Sequence, residues 1–192
     1  QQALDKDKSM PENSVKIIEE KLNITFDRPA LVQEALTHAS SKGDENYERM
    51  EFLGDRVLGL AVADLLYYSF PEESEGGLAK RHAALVQGTT LAEIAREIEL
   101  GDLLILSDAE RQSGGAANDH ILADCVESLL GALYLDQGFD TCRETIKRLL
   151  GTRIETVKNP PQDPKTELQE WAQGRGLPLP TYEIVERSGP DH

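Results

Sequence analysis

Two carboxylates interrupt an apolar stretch of the sequence in a way that points to metal chemistry. From residue 121 to 135 the sequence ILADCVESLLGALYL contains two charged side chains, Asp124 and Glu127, three residues apart. A helix that is apolar on nearly every side is buried, and a buried carboxylate is costly unless a cation lies beside it. The pair therefore predicts either a structural salt bridge or part of a metal site.

A second set of carboxylates could supply the other part of such a site. Glu48, Glu51 and Asp55 are separated by three and four residues, so on a helix they share one face. Taken alone, this face is more typical of a solvated acidic surface. Facing Asp124 and Glu127, it would provide oxygen ligands from a second element, as a metal site requires.

Charge repulsion gives the physical reason to expect a cation. If Glu51, Asp55, Asp124 and Glu127 converge in a poorly solvated site, at least one is protonated unless a divalent ion is bound. No His or Cys stands at ligand spacing nearby, so Mg²⁺, with Mn²⁺ as a substitute, is favoured over zinc. Such sites orient a water for in-line attack on phosphorus and stabilise the leaving oxygen.

Helices are predicted for the segments that carry these groups. The spacing of apolar residues predicts a long helix over about 45–68, helices over 78–87 and 90–98, a loop over 107–118, and a helix over about 118–136 that Gly138 ends before another follows. In the long helix, Leu53, Val57 and Leu60 are predicted to form the stripe that faces the core, roughly opposite the acidic face. The long helix is expected to be the longest of the chain.

The length suits one domain of about 150 residues plus a short extra unit. We predict a first domain over residues 1–158, a proline-containing linker over 159–164, and a second unit over 165–192. This second unit is predicted to contain a helix over 165–174 and a strand over 181–186.

Composition limits the class of protein. No apolar run reaches the roughly 18 residues of a membrane span, and no signal peptide is visible, so we expect a soluble cytoplasmic protein without a membrane partner or a nucleotide cofactor. Cys125 and Cys142 lie in apolar helical patterns, which favours buried thiols over a disulfide. The net charge of −15 argues against binding nucleic acid through a basic surface. Two explanations would reconcile it with phosphate binding: a metal site that recruits phosphates, or a basic segment missing from this chain.

The sequence resembles the ribonuclease III family over nearly its whole length. The family's signature helix corresponds to NYERMEFLGD at residues 46–55, preceded by ALTHAS at 35–40, and later blocks correspond to EGGLAK at 75–80 and ILADCVE at 121–127. The resemblance implies an all-α endonuclease domain with the ribonuclease III-like helical fold. It also implies hydrolysis of double-stranded RNA by a homodimer, with one metal site for each strand and staggered ends with short 3′ overhangs.

The resemblance implies roles for individual acids. Glu51, Asp124 and Glu127 correspond to metal-site residues, and Asp55 and Glu127 to residues that act in catalysis. Asp55 is followed by Arg56, where the family commonly has a small residue, and this departure could change the local charge.

Further residues acquire secondary roles by the same resemblance. Glu48 and Glu75 correspond to supporting acids at the cleavage site. Phe52 corresponds to a dimer-interface residue, although it could also belong to the edge of the core. His38 belongs to a family block but is expected to pack or form hydrogen bonds and not to bind the metal.

The last residues resemble the incomplete start of an α/β double-stranded-RNA-binding domain. DPKTELQEW at residues 163–171 corresponds to its first helix, and GLPLPTY at 176–182 leads into its first strand. The family's two further strands and its basic second helix have no counterpart before His192. We therefore expect this chain to bind duplex RNA weakly.

Two alternatives to an active nuclease belong to other functional classes. A catalytically inactive relative that binds or scaffolds RNA would be expected to lack one of the four acids, and all four are present. An acidic helical dimerisation module without an RNA role would not bind divalent ions.

Overall fold

A computed structural model of the protein describes residues 13–41, 46–157 and 164–181. The chain divides into two compact units between Lys158 and Asn159. The predicted strand over 181–186 lies almost entirely outside the described residues. None of the helices in the described ranges is long and apolar enough to cross a membrane.

The described part of the first unit is helical, as predicted. Its helices are α1 (Ser14–Leu22), α2 (Pro29–Ala35), α3 (Glu48–Ser69), α4 (Glu75–Val86), α5 (Gly88–Glu97), α6 (Asp108–Gln112), α7 (Asp119–Leu150) and α8 (Arg153–Thr156), with 3₁₀ turns at Leu100–Leu103 and Gly115–Ala117. Within the described ranges, β pairing is limited to an isolated parallel bridge between Thr37 and Ile105. In the second unit, α9 spans Pro164–Gly174.

Side-chain oxygen atoms cap the N-termini of α4 and α7, two of the helices that carry the predicted acidic residues. Asn118 caps α7 by accepting hydrogen bonds from the backbone N–H groups of His120 and Ile121. Ser74 caps α4 in the same way through the N–H of Gly77. These caps satisfy amide groups that a helix leaves without partners in its first turn.

The core of the first unit forms around the crossing of α3 and α7. Gly54 of α3 and Gly131 of α7 lie at this crossing: a Cβ at Gly54 would overlap the carbonyl oxygen of Glu127, and a Cβ at Gly131 would overlap that of Met50. The two backbones therefore approach more closely than any larger residue would allow.

The break predicted at Gly138 is confirmed. Gly138 has φ 80° and ψ −175°, a conformation that divides the 32 residues of α7 into two helical halves. Each half is shorter than α3, which with 22 residues is the longest uninterrupted helix in the described ranges. Cys125 and Cys142, on either side of the break, are buried free thiols, as expected.

Two details of the prediction are wrong. The stretch 107–118 is not a continuous loop, because it contains α6 and a 3₁₀ turn. Leu60 does not face the core, since it is 60% exposed, while Val57 and Leu58 are buried. The core-facing stripe of α3 therefore includes Leu58 and not Leu60.

Candidate active site

Three of the predicted metal-site carboxylates come together between α3 and α7. Glu51 of α3 and Asp124 and Glu127 of α7 each offer one carboxylate oxygen, and these oxygens all lie within 4.8 Å of one another. All three residues are half-buried. We call this group the carboxylate cluster.

The close crossing of the two helices brings the cluster together. Glu51 lies one turn before Gly54, and the atom that Gly54 faces is the carbonyl oxygen of Glu127. Asp124 lies one turn before Glu127 on α7. The absence of a side chain at Gly54 thus brings the acids of α7 within reach of Glu51.

Burial and mutual repulsion disfavour the charged forms of the cluster. Burial, followed by the charges of Asp124 and Glu51, raises the pKa of Glu127 to about 7, although Arg56 partly opposes this shift. Burial, Asp124 and Glu48 raise the pKa of Glu51. A site with this electrostatic character is suited to a cation.

Burial also raises the pKa of Asp124, the third member of the cluster. A hydrogen bond from Tyr47 and the nearby His120 and His38 act in the opposite direction. All three carboxylates of the cluster therefore hold protons more tightly than free carboxylates do.

Asp55 lies beside the cluster but does not belong to it in this structure. Its carboxylate forms an ion pair with the neighbouring Arg56. The Arg56 guanidinium also lies over the ring of Phe52, with its central carbon 5.2 Å from the ring centroid. The residue that departs from the family pattern is thus the one that pairs with a predicted catalytic acid.

The two predicted supporting acids lie outside the cluster. Glu48 is exposed in the first turn of α3, near enough to Glu51 to raise its pKa. Glu75 is exposed in the first turn of α4, next to the capping residue Ser74. Their supporting roles stay predictions.

Phe52 is an exposed aromatic residue on α3. It is 66% exposed, so it does not belong to the edge of the core, which was the alternative to an interface role. Exposure of this size suits a residue that a partner covers, and the interface role stays a prediction.

Tyr47 is a residue of the site that was not predicted. Its side chain is 4% exposed, and its hydroxyl donates a hydrogen bond to Oδ2 of Asp124 over 3.4 Å. Its position one turn before Glu51 was a signal that could have placed it near the site. His38, as expected, packs and forms hydrogen bonds, since it contacts the Tyr47 ring and Ser40.

The sequence is similar to a family model and to curated proteins of the ribonuclease III type. A family model described as Ribonuclease-III-like matches residues 28–154. Ribonuclease 3 of Ehrlichia ruminantium is 50% identical over 171 residues, which cover 87% of this chain and 75% of that protein. Ribonuclease 3 of Colwellia psychrerythraea is 46% identical over 174 residues, which cover 90% of this chain but 65% of the relative.

Solved structures lead to the same group of proteins. The nuclease domain of ribonuclease III from Campylobacter jejuni matches with a TM-score of 0.70 and 37% identity, over 78% of this chain and 99% of that one. A second structure of that domain, which shows structural flexibility in a region involved in dimer formation, matches with a TM-score of 0.69 and 40% identity. The match covers 71% of this chain and 95% of that one. Dicer from Pichia stipitis matches with a TM-score of 0.52 and 26% identity, over 86% of this chain and 77% of that one.

Proposed function

Since the chain belongs to the ribonuclease III family, we propose that it is an endoribonuclease that hydrolyses phosphodiester bonds in double-stranded RNA with Mg²⁺ and acts in RNA processing. The observation that carries this proposal is the convergence of Glu51, Asp124 and Glu127 from two helices. Carboxylates from more than one element are the ligands that Mg²⁺ uses when it binds phosphate substrates.

The carboxylate cluster fits a divalent cation on chemical grounds. Its donors are carboxylate oxygens, which suit Mg²⁺ and Mn²⁺ better than zinc. The raised pKa of Glu127 reflects unfavourable burial and repulsion, which a bound cation would relieve. Half-burial of the three acids keeps the site open to a substrate phosphate.

The residues of the site have distinct roles in this proposal. Glu51, Asp124 and Glu127 would hold the ion, whose charge would polarise the phosphate and favour attack of a water on phosphorus. Glu127 would bind the ion as a carboxylate, and any proton that it carries without the ion would be released to solvent. Asp55 lies one turn after Glu51 on the same face of α3. If the ion pair between Asp55 and Arg56 opened, the carboxylate of Asp55 would be free to act in catalysis beside the cluster.

The supporting acids act through their charge and position in the proposed enzyme. Glu48 adds negative charge next to Glu51 and strengthens the attraction for a cation. Glu75 begins α4, where it would extend the acidic surface toward the substrate.

A homodimer completes the proposed enzyme. The exposed Phe52 on α3 would lie in the interface between two copies, which would place one cluster for each RNA strand and leave staggered ends with short 3′ overhangs. The nuclease domain of ribonuclease III from Campylobacter jejuni has a region involved in dimer formation, which supports this arrangement.

The second unit and the cellular location complete the proposal. We assign α9 to the first helix of a double-stranded-RNA-binding domain, with residues 159–164 as its linker. The chain spans 65% of the length of one of the two curated relatives above and 75% of the other. A contribution of the second unit to RNA affinity is part of the proposal. The buried free thiols fit a reducing compartment, so we propose that the protein is cytoplasmic.

Incubation with labelled RNA tests the function. We expect Mg²⁺-dependent cleavage of duplex RNA into discrete products, no cleavage in excess EDTA, and little cleavage of single-stranded RNA. Mn²⁺ binding with no cleavage would favour an inactive RNA-binding relative. Failure to bind Mn²⁺ would favour an acidic dimerisation module.

A further inference from the structure

We propose that Tyr47 is a positioning residue that orients the carboxylate of Asp124 for metal binding. This inference rests on the proposed function, because it assigns a role toward the same ion. It concerns a side chain that contacts a proposed ligand without being one itself.

Tyr47 contacts both helices that supply the carboxylate cluster. Its hydroxyl donates to Oδ2 of Asp124 on α7, and its carbonyl oxygen accepts a hydrogen bond of 2.8 Å from the backbone N–H of Glu51 on α3. The 3.4 Å contact with Asp124 is long for an O–H···O hydrogen bond, so it leaves most of the charge of the carboxylate available to a cation.

The Tyr47 ring is itself held in place. His38 packs against it edge to face, with ring centroids 5.4 Å apart and an interplanar angle of 65°. The backbone N–H of Tyr47 donates to the carbonyl oxygen of Thr37 over 2.9 Å. A rigidly held ring can orient a flexible carboxylate, whereas a mobile ring would follow it.

His38 in turn has a defined orientation. Its Nδ1 accepts a hydrogen bond of 3.0 Å from the backbone N–H of Ser40 and lies 2.8 Å from the Ser40 hydroxyl oxygen. That hydroxyl oxygen accepts a hydrogen bond from the N–H of Ser107. The segment before α3 and the start of α6 therefore support the ring that contacts Asp124.

Removing the hydroxyl should weaken metal binding without removing the ring. Partners that orient metal ligands typically contribute about 10-fold to 100-fold in affinity or activity. Tyr47→Phe keeps the packing against His38 and deletes only the contact with Asp124. Tyr67→Phe is the matched control, because Tyr67 is an exposed tyrosine near the far end of α3, the helix that Tyr47 precedes.

Calorimetric titration of Mn²⁺ into the metal-free full chain tests the inference, with thermal unfolding of each metal-free variant beside it. We expect Tyr47→Phe to bind Mn²⁺ about 10-fold more weakly than wild type, and Tyr67→Phe to bind it like wild type.

Three results would overturn the inference. Equal Mn²⁺ affinity of Tyr47→Phe and wild type would show that the hydroxyl does not orient a ligand. Loss of the folded state in Tyr47→Phe would show that the hydroxyl is structural. If wild type itself fails to bind Mn²⁺, the proposed function fails as well, so this outcome is distinguishable from the first two.

Discussion

Gly54 of α3 lies directly against the backbone of Glu127 in α7, where a side chain at residue 54 would overlap the carbonyl oxygen of Glu127. One contact thus joins the packing of the core to the geometry of the site. The same close approach that allows α3 and α7 to cross brings a carboxylate oxygen of Glu51 within 4.8 Å of one of Glu127.

This contact predicts a large effect of Gly54→Ala. The added methyl group must push the two helix backbones apart, so we expect a loss of about 3 kcal/mol in the free energy of unfolding, at the upper end of the usual cost of overpacking, together with weaker Mn²⁺ binding. Urea unfolding and calorimetry measure the two effects.

Gly59→Ala is the matched control on the same helix. A Cβ at Gly59 would lie 3.8 Å from Nε2 of His82, an ordinary contact, and alanine favours a helix over glycine by about 1 kcal/mol. We expect this variant to be at least as stable as wild type. Equal stability of the two alanine variants would contradict the close packing at Gly54.

The raised pKa of Glu127 predicts how stability depends on pH. In the folded protein the pKa is about 7, against an ordinary value of 4.5, so the folded state binds more protons than the unfolded state between these values. The contribution of Glu127 is therefore fully present below about pH 4.5 and is lost as the pH rises through about 7.

Urea unfolding in EDTA at pH 5 and at pH 7.5 measures this contribution. We expect Glu127→Gln, which cannot ionise, to lose less stability between the two pH values than wild type loses. The comparison between variants cancels the titration of unrelated groups. An identical loss in both proteins would mean that the pKa of Glu127 is not raised by folding.

Phe52 should contribute to the association of two copies. Truncation of a buried aromatic residue at an interface typically weakens binding about 10-fold or more, so we expect Phe52→Ala to raise the dimer dissociation constant by at least that factor. Sedimentation equilibrium measures it.

Tyr68→Ala serves as the control for Phe52→Ala, because Tyr68 is an exposed aromatic residue at the other end of α3. It should dissociate like wild type. A wild-type chain that stays a monomer of 21.2 kDa at micromolar concentration would contradict the proposed dimer.

The sequence predicted the helical fold and the three acids of the cluster for different reasons. Asp124 and Glu127 could be predicted because charges are costly in an apolar helix, so their presence indicates a salt bridge or a metal site. That α3 faces α7 was a hypothesis based on the need of a metal site for ligands from a second element, and the family resemblance supported it; spacing within one helix does not identify its neighbour. Gly54 and Gly131, which determine that approach, were not singled out.

Other features could not be predicted for identifiable reasons. Leu60 has the spacing of a core residue, yet periodicity cannot distinguish a side chain that packs within the chain from an apolar side chain on its surface. Helix α6 has five residues, too few to show a helical period. The pairing of Asp55 with Arg56 depends on side-chain rotation, which the sequence does not determine.

Single-turnover cleavage of labelled duplex RNA in Mg²⁺ by wild type and Glu127→Gln tests the central claim most directly. Asp140→Asn is the control, because it also removes one negative charge from α7 but at an exposed position. We predict that wild type and Asp140→Asn cut the duplex, while Glu127→Gln keeps its fold and its association but loses several orders of magnitude in rate, because the ion that activates the water has lost a ligand charge. Cleavage by Glu127→Gln at nearly the wild-type rate would show that Glu127 is a structural carboxylate and that the carboxylate cluster is not the active site.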